Sequence, residues 1–277
     1  MARVHKLLDL TWPRVGELAR DRSVVFLLSS PIEQHGPHLP LGTDLLQAAA
    51  VMDQMAARVA DGGWNVLVAP ALPYTTAVLS RNYPGSVSVR SRNAVPFFTD
   101  ILNSFASNGL RDIVVVSQHI DPPHVLAWED SCRRAAAETG ARAIEGYERL
   151  IFDDIRSGVL ADVLGVDPAG DSHAGVFETS VVMAVRPELV VEEERRALPA
   201  VPLDYDRDLR GARDFRDLGD GRGYTGDPSR ASAALGGRLV VRYAEAFGEL
   251  VLAHLSGADV WPRLTITEMF PRVQPPT

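Results

Sequence analysis

The sequence predicts an α/β fold with a mostly parallel central sheet and helices on both of its faces. Short apolar, β-branched runs recur at Val24-Val25-Phe26-Leu27-Leu28, Asn65-Val66-Leu67-Val68-Ala69 and Ile113-Val114-Val115-Val116, stretches of helical period lie between them, and polar clusters follow where the runs end. Runs that are apolar at every position read as strands buried on both faces, the usual state of parallel strands, and their alternation with helices selects the fold class. With 277 residues and 46% hydrophobic content, the chain can bury one large core, so residues 1–277 are read as a single domain.

Residues 9–20, opened by Thr11-Trp12-Pro13, read as a short amphipathic helix over an edge of the sheet. The strand at 24–28 runs into a polar loop, and residues 45–58, rich in Ala, Gln and Met, read as the next helix. After the strand at 65–69, residues 74–91 form a long loop with Ser80-Arg81-Asn82-Tyr83-Pro84-Gly85-Ser86 at its centre and an alternating Val87-Ser88-Val89 strand near its end. A loop that long in a compact domain is usually functional. A helix over 92–108, capped by Gly109, leads to the strand at 113–116, a helix over 122–139 and another short strand after Gly140. A mixed segment follows, then a polar cluster at 171–180 and the apolar Val181-Val182-Met183-Ala184-Val185. Residues 186–222, dense in Arg, Asp and Glu, read as a peripheral, largely solvated excursion. The turn cluster 223–228 introduces a final helix over 229–255, with Leu239, Tyr243, Phe247 and Leu250 spaced to pack on the sheet or at a subunit contact, and an extended tail from Trp261.

The chemistry gathers where strands end. The loop Glu33-Gln34-His35-Gly36-Pro37-His38-Leu39-Pro40 puts one carboxylate and two imidazoles just past the first buried strand, and Asp44 follows at the start of a helix. Glu33 and His35 are two residues apart, so in an extended segment both point the same way. His119 stands just beyond the strand at 113–116. If the two strands are parallel neighbours, Glu33, His35, Asp44 and His119 meet at one edge, where open α/β sheets bind ligands. Asp121 either adds a carboxylate there or, with Pro122, starts the next helix. His173 and Glu178 can face the same pocket, although a carboxylate in a helix's first turn also suits the helix dipole. Carboxylate oxygen with imidazole nitrogen and no nearby thiol suits Zn, Mn, Fe or Co.

Bulk properties exclude other classes. A net charge of -8 gives no footprint for nucleic acid, and no apolar run approaches membrane-spanning length. One cysteine, Cys132, forms no internal disulfide and fits a reducing cytoplasm, and the N-terminus lacks a signal-peptide apolar region.

Taken together, Glu33 to Pro40 with Thr43-Asp44, His119 after its strand, His173-Ala174-Gly175 with Glu178-Thr179-Ser180, Tyr83-Pro84-Gly85-Ser86, and Gly226-Asp227-Pro228 before the last helix resemble the creatininase, or creatinine amidohydrolase, family. The resemblance spans nearly the whole chain in the family's order. It implies a three-layer α/β sandwich, a homo-oligomer (hexamer) and two divalent metal ions, zinc first, manganese or iron as alternatives. Carried over residue by residue, it implies that Glu33, Asp44 and His119 hold one metal, while His35 and a bridging Asp44 hold the other. Glu178 completes the second site, with Asp121 as the alternative. His173 corresponds to the family's catalytic histidine, Ser172 stands where creatininase proper has an acidic neighbour, and His38, Arg81, Tyr83 and Ser86 are placed around the substrate.

The expected reaction is hydrolysis of a C–N bond in a cyclic or otherwise non-standard small-molecule amide by a metal-bridging hydroxide, with the oxyanion stabilised on metal. Two alternatives stand beside it: processing of a small precursor peptide, and a degenerate member that binds metal without turnover. Creatinine itself is disfavoured by the segment after His119 and by residues 80–86.

Overall fold

The computed structural model describes residues 3–260 except 202, 204–207 and 209–211. The tail expected from Trp261 and part of the charged excursion lie outside the described residues. Five strands, β1 (Val4–Lys6), β2 (Ser23–Leu28), β3 (Asn65–Val68), β4 (Asp112–Val116) and β5 (Arg142–Glu145), form one all-parallel sheet in the order β1-β3-β2-β4-β5. Among the described residues the α-helices are α1 (Trp12–Leu18), α2 (Thr43–Asp61), α3 (Ser91–Ser107), α4 (Pro122–Thr139), α5 (Tyr147–Arg156), α6 (Val159–Leu164), α7 (Val176–Val185), α8 (Glu192–Ala197) and α9 (Ala233–Leu255).

Strand periodicity builds the two cores. Val24, Phe26 and Leu28 join Val66, Val114 and Val116 on one face, where Met55 of α2 and Leu239 and Phe247 of α9 cover them. Val25 and Leu27 join Leu67, Ile113 and Val115 on the other, under Phe98 of α3 and Trp128 of α4, whose rings stack 4.0 Å apart. Each such side chain contributes about 1.5–3 kcal/mol of burial, and all of these positions are under 5% exposed. The result is three layers, helix, sheet and helix.

Topology locates the site. The chain leaves β2 through α2 to β3 on one side, and leaves β4 through α4 to β5 on the other. The carboxyl ends of the adjacent β2 and β4 therefore flank a topological switch point, the crevice in which such sheets bind ligands.

Several expectations change. Val87-Ser88-Val89 is not a strand, because Val87 N–H donates to Ile32 O and Val89 N–H to Thr75 O, two separate loop partners. The helix after the polar loop begins at Thr43, so Asp44 stands in its first turn. Edge strand β1 and helices α5 and α6 were not anticipated. The final helix starts at Ala233, capped by Ser232, whose hydroxyl accepts Leu235 N–H. As expected, its inner face packs on the sheet, and it also packs on α2 and α7, while Val241 on its outer face is exposed. The 186–222 excursion is not wholly peripheral: its Leu203, Phe215 and Leu218 are buried, against Leu79 and Tyr83. Among the described residues no helix is long and apolar enough to cross a membrane.

Candidate metal centre

Three segments meet at the switch point, and each is pinned by hydrogen bonds independent of any ligand. In the β2–α2 loop, Ile32 N–H donates to Pro73 O and Glu33 N–H to Leu41 O, while Gly36 turns the chain at φ +65°. Past β4, Ser117 Oγ accepts His119 N–H at 3.1 Å and lies 3.0 Å from His124 Nε2, and His124 Nδ1 lies 2.7 Å from Thr75 Oγ1. Burial pushes the His124 pKa well below its ordinary value, so one ring nitrogen donates and the other accepts. Before α7, the Asp171 carboxylate accepts Val176 and Phe177 N–H and so caps the helix. Ala174, at φ 52°, makes the left-handed turn that brings Glu178 round.

The side chains then face one another in an unusual way. His119 Nε2 donates to the Thr76 carbonyl at 3.1 Å, which leaves the Nδ1 lone pair toward Asp44 Oδ2 at 3.2 Å and Glu33 Oε2 at 3.7 Å. His35 Nδ1 donates to the Glu33 carbonyl at 3.1 Å, which leaves Nε2 toward Asp44 Oδ1 at 3.1 Å and Glu178 Oε2 at 3.5 Å. At both points the second imidazole nitrogen faces carboxylate oxygens and needs a proton or a cation between them, and Asp44 Oδ2 has no hydrogen bond although it is buried. Glu33, Asp44 and His119 form one group of potential ligand atoms within 4.8 Å of one another, and His35, Asp44 and Glu178 form a second. Asp44 Oδ1 faces His35 and its Oδ2 faces His119. A third group, Glu33, His35 and His173, overlaps both.

Electrostatics describe the same crowding. Burial raises the Glu33 carboxyl to about 8, against the pull of His119. Burial also works against charge on Asp44, but His35 and His119 outweigh it and hold the carboxyl below its ordinary range; His35 does the same for Glu178. In return, despite burial, Glu33 and Asp44 lift His119 to about 10, while Asp44 and Glu178 lift His35 well above its ordinary value. Protons fill the two acceptor clusters here, and divalent cations fit them as well: three carboxylates neutralise most of the charge of two such ions, and the donor set is oxygen and imidazole nitrogen.

His173 sits beside the cluster, with Nδ1 3.5 Å from Glu33 Oε1 and its ring stacked on Phe215 at 4.1 Å. Its Nε2 lies 2.8 Å from the Gln34 carbonyl and 3.1 Å from the Gln34 side-chain nitrogen. Gln34 Oε1 accepts Gly36 N–H, which turns the amide N–H groups toward His173. Burial and the neighbouring His35 push the imidazole down to about 3, so it is neutral near pH 7.

The remaining sequence candidates are placed differently. Asp121 lines the adjoining cavity, of about 90 Å³, but belongs to none of the three groups; its Oδ2 accepts Val78 N–H at 2.7 Å and its side chain does not cap α4. His38 is fully buried behind the site with Nε2 on Thr179 Oγ1 at 2.9 Å. Tyr83 donates its hydroxyl to Gly221 O, Ser86 Oγ accepts Gln34 N–H, and Arg81 is exposed at a separate surface recess. None of these four lines the cavity. Its walls instead include Ser172 and three residues that sequence reasoning did not single out, Gln118, Phe152 and Phe215.

A family model described as "Creatininase: Creatinine amidohydrolase" matches residues 8–251. The creatinine amidohydrolase of Pseudomonas putida is 26% identical over 192 residues, covering 66% of this chain and 72% of that protein. The mycofactocin precursor peptide peptidase of Mycobacterium ulcerans (strain Agy99) is 30% identical over 241 residues, covering 84% and 82%. A crystal structure of creatininase superposes with a TM-score of 0.71 at 22% identity, covering 88% of this chain and 95% of its own. A manganese form superposes at 0.71 (20% identity, 91% and 98% covered) and a Zn-Zn form of a creatininase variant at 0.70 (20%, 88% and 96%). With the match running from ahead of the first helix into the last one, this chain belongs to the creatininase family.

Proposed function

We propose that this creatininase-family chain is a divalent-metal-dependent amidohydrolase that cleaves a C–N bond in a cyclic or otherwise non-standard amide. The observation that carries the reading is the pair of buried oxygen-and-imidazole clusters that share Asp44, one with His119 and Glu33, the other with His35 and Glu178. In it, Glu33, Asp44 and His119 hold one cation and His35, Asp44 and Glu178 the other. Zinc is the first choice and manganese the second, the metals named for the solved creatininases. Such a pair polarises a carbonyl oxygen and lowers the pKa of a shared water toward neutrality.

The chain's own residues supply the proton handling. A neutral His173 has, at the same Nε2, a carbonyl to donate to and an amide N–H to accept from. Its tautomers therefore exchange without the ring moving, which suits a group that passes a proton to a leaving nitrogen. Phe215 on one face and His35 on the other, at 4.1 and 4.3 Å between ring centroids, fix its plane.

Peptide processing is the second reading, favoured by the 30% identity to the mycobacterial peptidase across most of both chains. A homo-oligomer, hexameric by family resemblance, is part of the proposal, and exposure of Trp12 and Leu8 on the N-terminal segment favours it. Metal analysis and activity of chelated and zinc-reloaded protein on lactams, formamides and short peptides test the whole. Reloading-dependent turnover of a lactam or formamide supports the first reading, turnover of peptides alone the second. Fewer than one tightly held metal per chain, or equal rates with and without metal, favours a non-catalytic protein.

A further inference from the structure

The cavity beside the cluster does not end there. A second cavity of about 230 Å³ continues from it, and Gln118, Ile120, Phe152, Ser172 and Glu178 line both. Beyond that junction the walls are mostly apolar, with Ile151 and Ile155 of α5, Leu160 and Leu164 of α6 and Phe177 of α7, while Tyr147, Arg156 and Asp171 add polar groups to the lining. A cavity of about 150 Å³ with an apolar lining takes up a benzene ring, so this one has room for a phenyl or branched-alkyl group.

The junction carries a second, independent sign of a ligand. Gln118 is 5% exposed, its side-chain Nε2 has no hydrogen-bond partner, and it lines both cavities. A buried amide donor left without a partner is costly unless something arrives to accept from it. Glu178, on the same boundary, belongs to the His35–Asp44 group. A molecule with its reacting carbonyl at the cluster therefore passes Gln118 before entering the apolar chamber.

We propose that the second cavity seats a bulky apolar group, branched aliphatic or aromatic, carried within a few bonds of the scissile carbonyl, and that Gln118 Nε2 donates a hydrogen bond to the substrate where the two cavities meet. This rests on the amidohydrolase reading and narrows its substrate class: a small, fully polar amide leaves the chamber unfilled. Discrimination in an apolar pocket amounts to about fourfold per buried methylene, so three added carbons are worth up to about sixtyfold.

The test is titration calorimetry of zinc-loaded protein with acetate, 3-methylbutanoate and 3-phenylpropanoate, the acids released from the corresponding amides. The proposal expects affinity to rise at least tenfold from acetate to either larger acid. Equal affinities overturn it. Ile155→Trp, at a half-buried wall position, should collapse that ratio, and Gln118→Leu should weaken all three acids about five- to tenfold while preserving it. Undiminished binding to Gln118→Leu removes Gln118 from the proposal. Turnover of the matching amides is scored separately: graded binding of the acids without hydrolysis refutes the amidohydrolase reading and leaves the chamber assignment standing, whereas hydrolysis with ungraded binding does the reverse.

Discussion

Asp44→Asn tests the two-cation arrangement most directly. The substitution keeps the shape, removes one charge, and takes one carboxylate oxygen from each three-residue group, since Oδ1 faces His35 and Oδ2 faces His119. Without metal it takes away the charge that, with Glu33 and Glu178, lifts His119 and His35, so both imidazoles should lose their protons at lower pH than in the wild type. With metal the loss is large. A ligand at a hundredfold excess over its Kd stabilises a protein by about 2.7 kcal/mol, so two sites contribute about 5 kcal/mol. At about 2–4 °C per kcal/mol, zinc should raise the wild-type Tm by about 10–20 °C and that of Asp44→Asn by a few degrees at most. Scanning calorimetry of chelated and zinc-reloaded protein reads the shift, and elemental analysis should give two ions per chain for the wild type and fewer than one for the variant. An Asp44→Asn protein that keeps two ions, or shows the full zinc-induced rise, refutes the reasoning.

His35, His119 and Glu33 all have raised pKa values, His119 to about 10 and Glu33 to about 8, so they hold protons at pH 7 in metal-free protein and cation binding must expel them. Calorimetry in two buffers of different ionisation enthalpy should count more than one proton released per chain at pH 7, with zinc affinity rising about tenfold per pH unit for each such proton; no release contradicts the assignment. For the metal-free fold, the His119 contribution is full below 6.5 and lost as pH rises through about 10, while a Glu33 carboxyl raised from 4.5 to about 8 also favours the folded state less as pH increases. Denaturant midpoints should therefore fall between pH 6.5 and 10, and zinc should flatten that fall. His173→Asn should lower kcat by about 10²–10⁴ with metal content unchanged; a matching loss of metal would make it a ligand instead. Gly226→Ala places a Cβ 1.9 Å from Asp171 Oδ1 at φ +83°, so it should dislodge the cap of α7, lower Tm by several degrees and weaken the site that includes Glu178.

The strands were legible because all three apolar runs are buried on both faces, a pattern that pairing with any neighbour preserves. The convergence of Glu33, His35, Asp44 and His119 was legible for the same reason: strand ends announce where loops begin, and β2 and β4 proved to be parallel neighbours. Long-range contacts were not legible. Nothing near Asp121 tells that its carboxylate receives Val78 N–H from a loop far earlier in the chain. Phe215 lies between charged residues and looks solvated, yet it is 6% exposed because the His173 ring offers it a face. Helix α5 did leave a signal, Tyr147, Ile151 and Ile155 at a spacing of four, but charged residues between them obscured it. Those are walls of the second cavity, so the part of the site that reads substrate shape was the part hidden in the sequence.

Three side chains of the segment after β4 grip the backbone and hydroxyls of one short stretch: His124 reaches Thr75 Oγ1, His119 donates to Thr76 O, and Asp121 accepts from Val78 N–H. The long loop that begins there is thus a template that fixes the tautomer and plane of His119 before any cation arrives, the role usually filled by a carboxylate or carbonyl behind a ligating imidazole. His35 is set differently, by the Glu33 carbonyl within its own loop. The two groups should therefore respond separately to damage. His124→Phe keeps a ring of similar size but strips Thr75 and Ser117 of their partner, leaving polar atoms that cost about 1–3 kcal/mol each when buried unpaired. Relief by movement of the Ser117–His119 turn shifts Nδ1 away from Glu33 and Asp44. The expected outcome is a 10- to 100-fold weaker first ion and a nearly unchanged second one, read as two separated phases in a chelator competition titration. Equal weakening of both ions would mean that the template acts on Asp44 rather than on His119, and unaltered affinities would mean that the Thr75–His124 contact has no bearing on the metal centre.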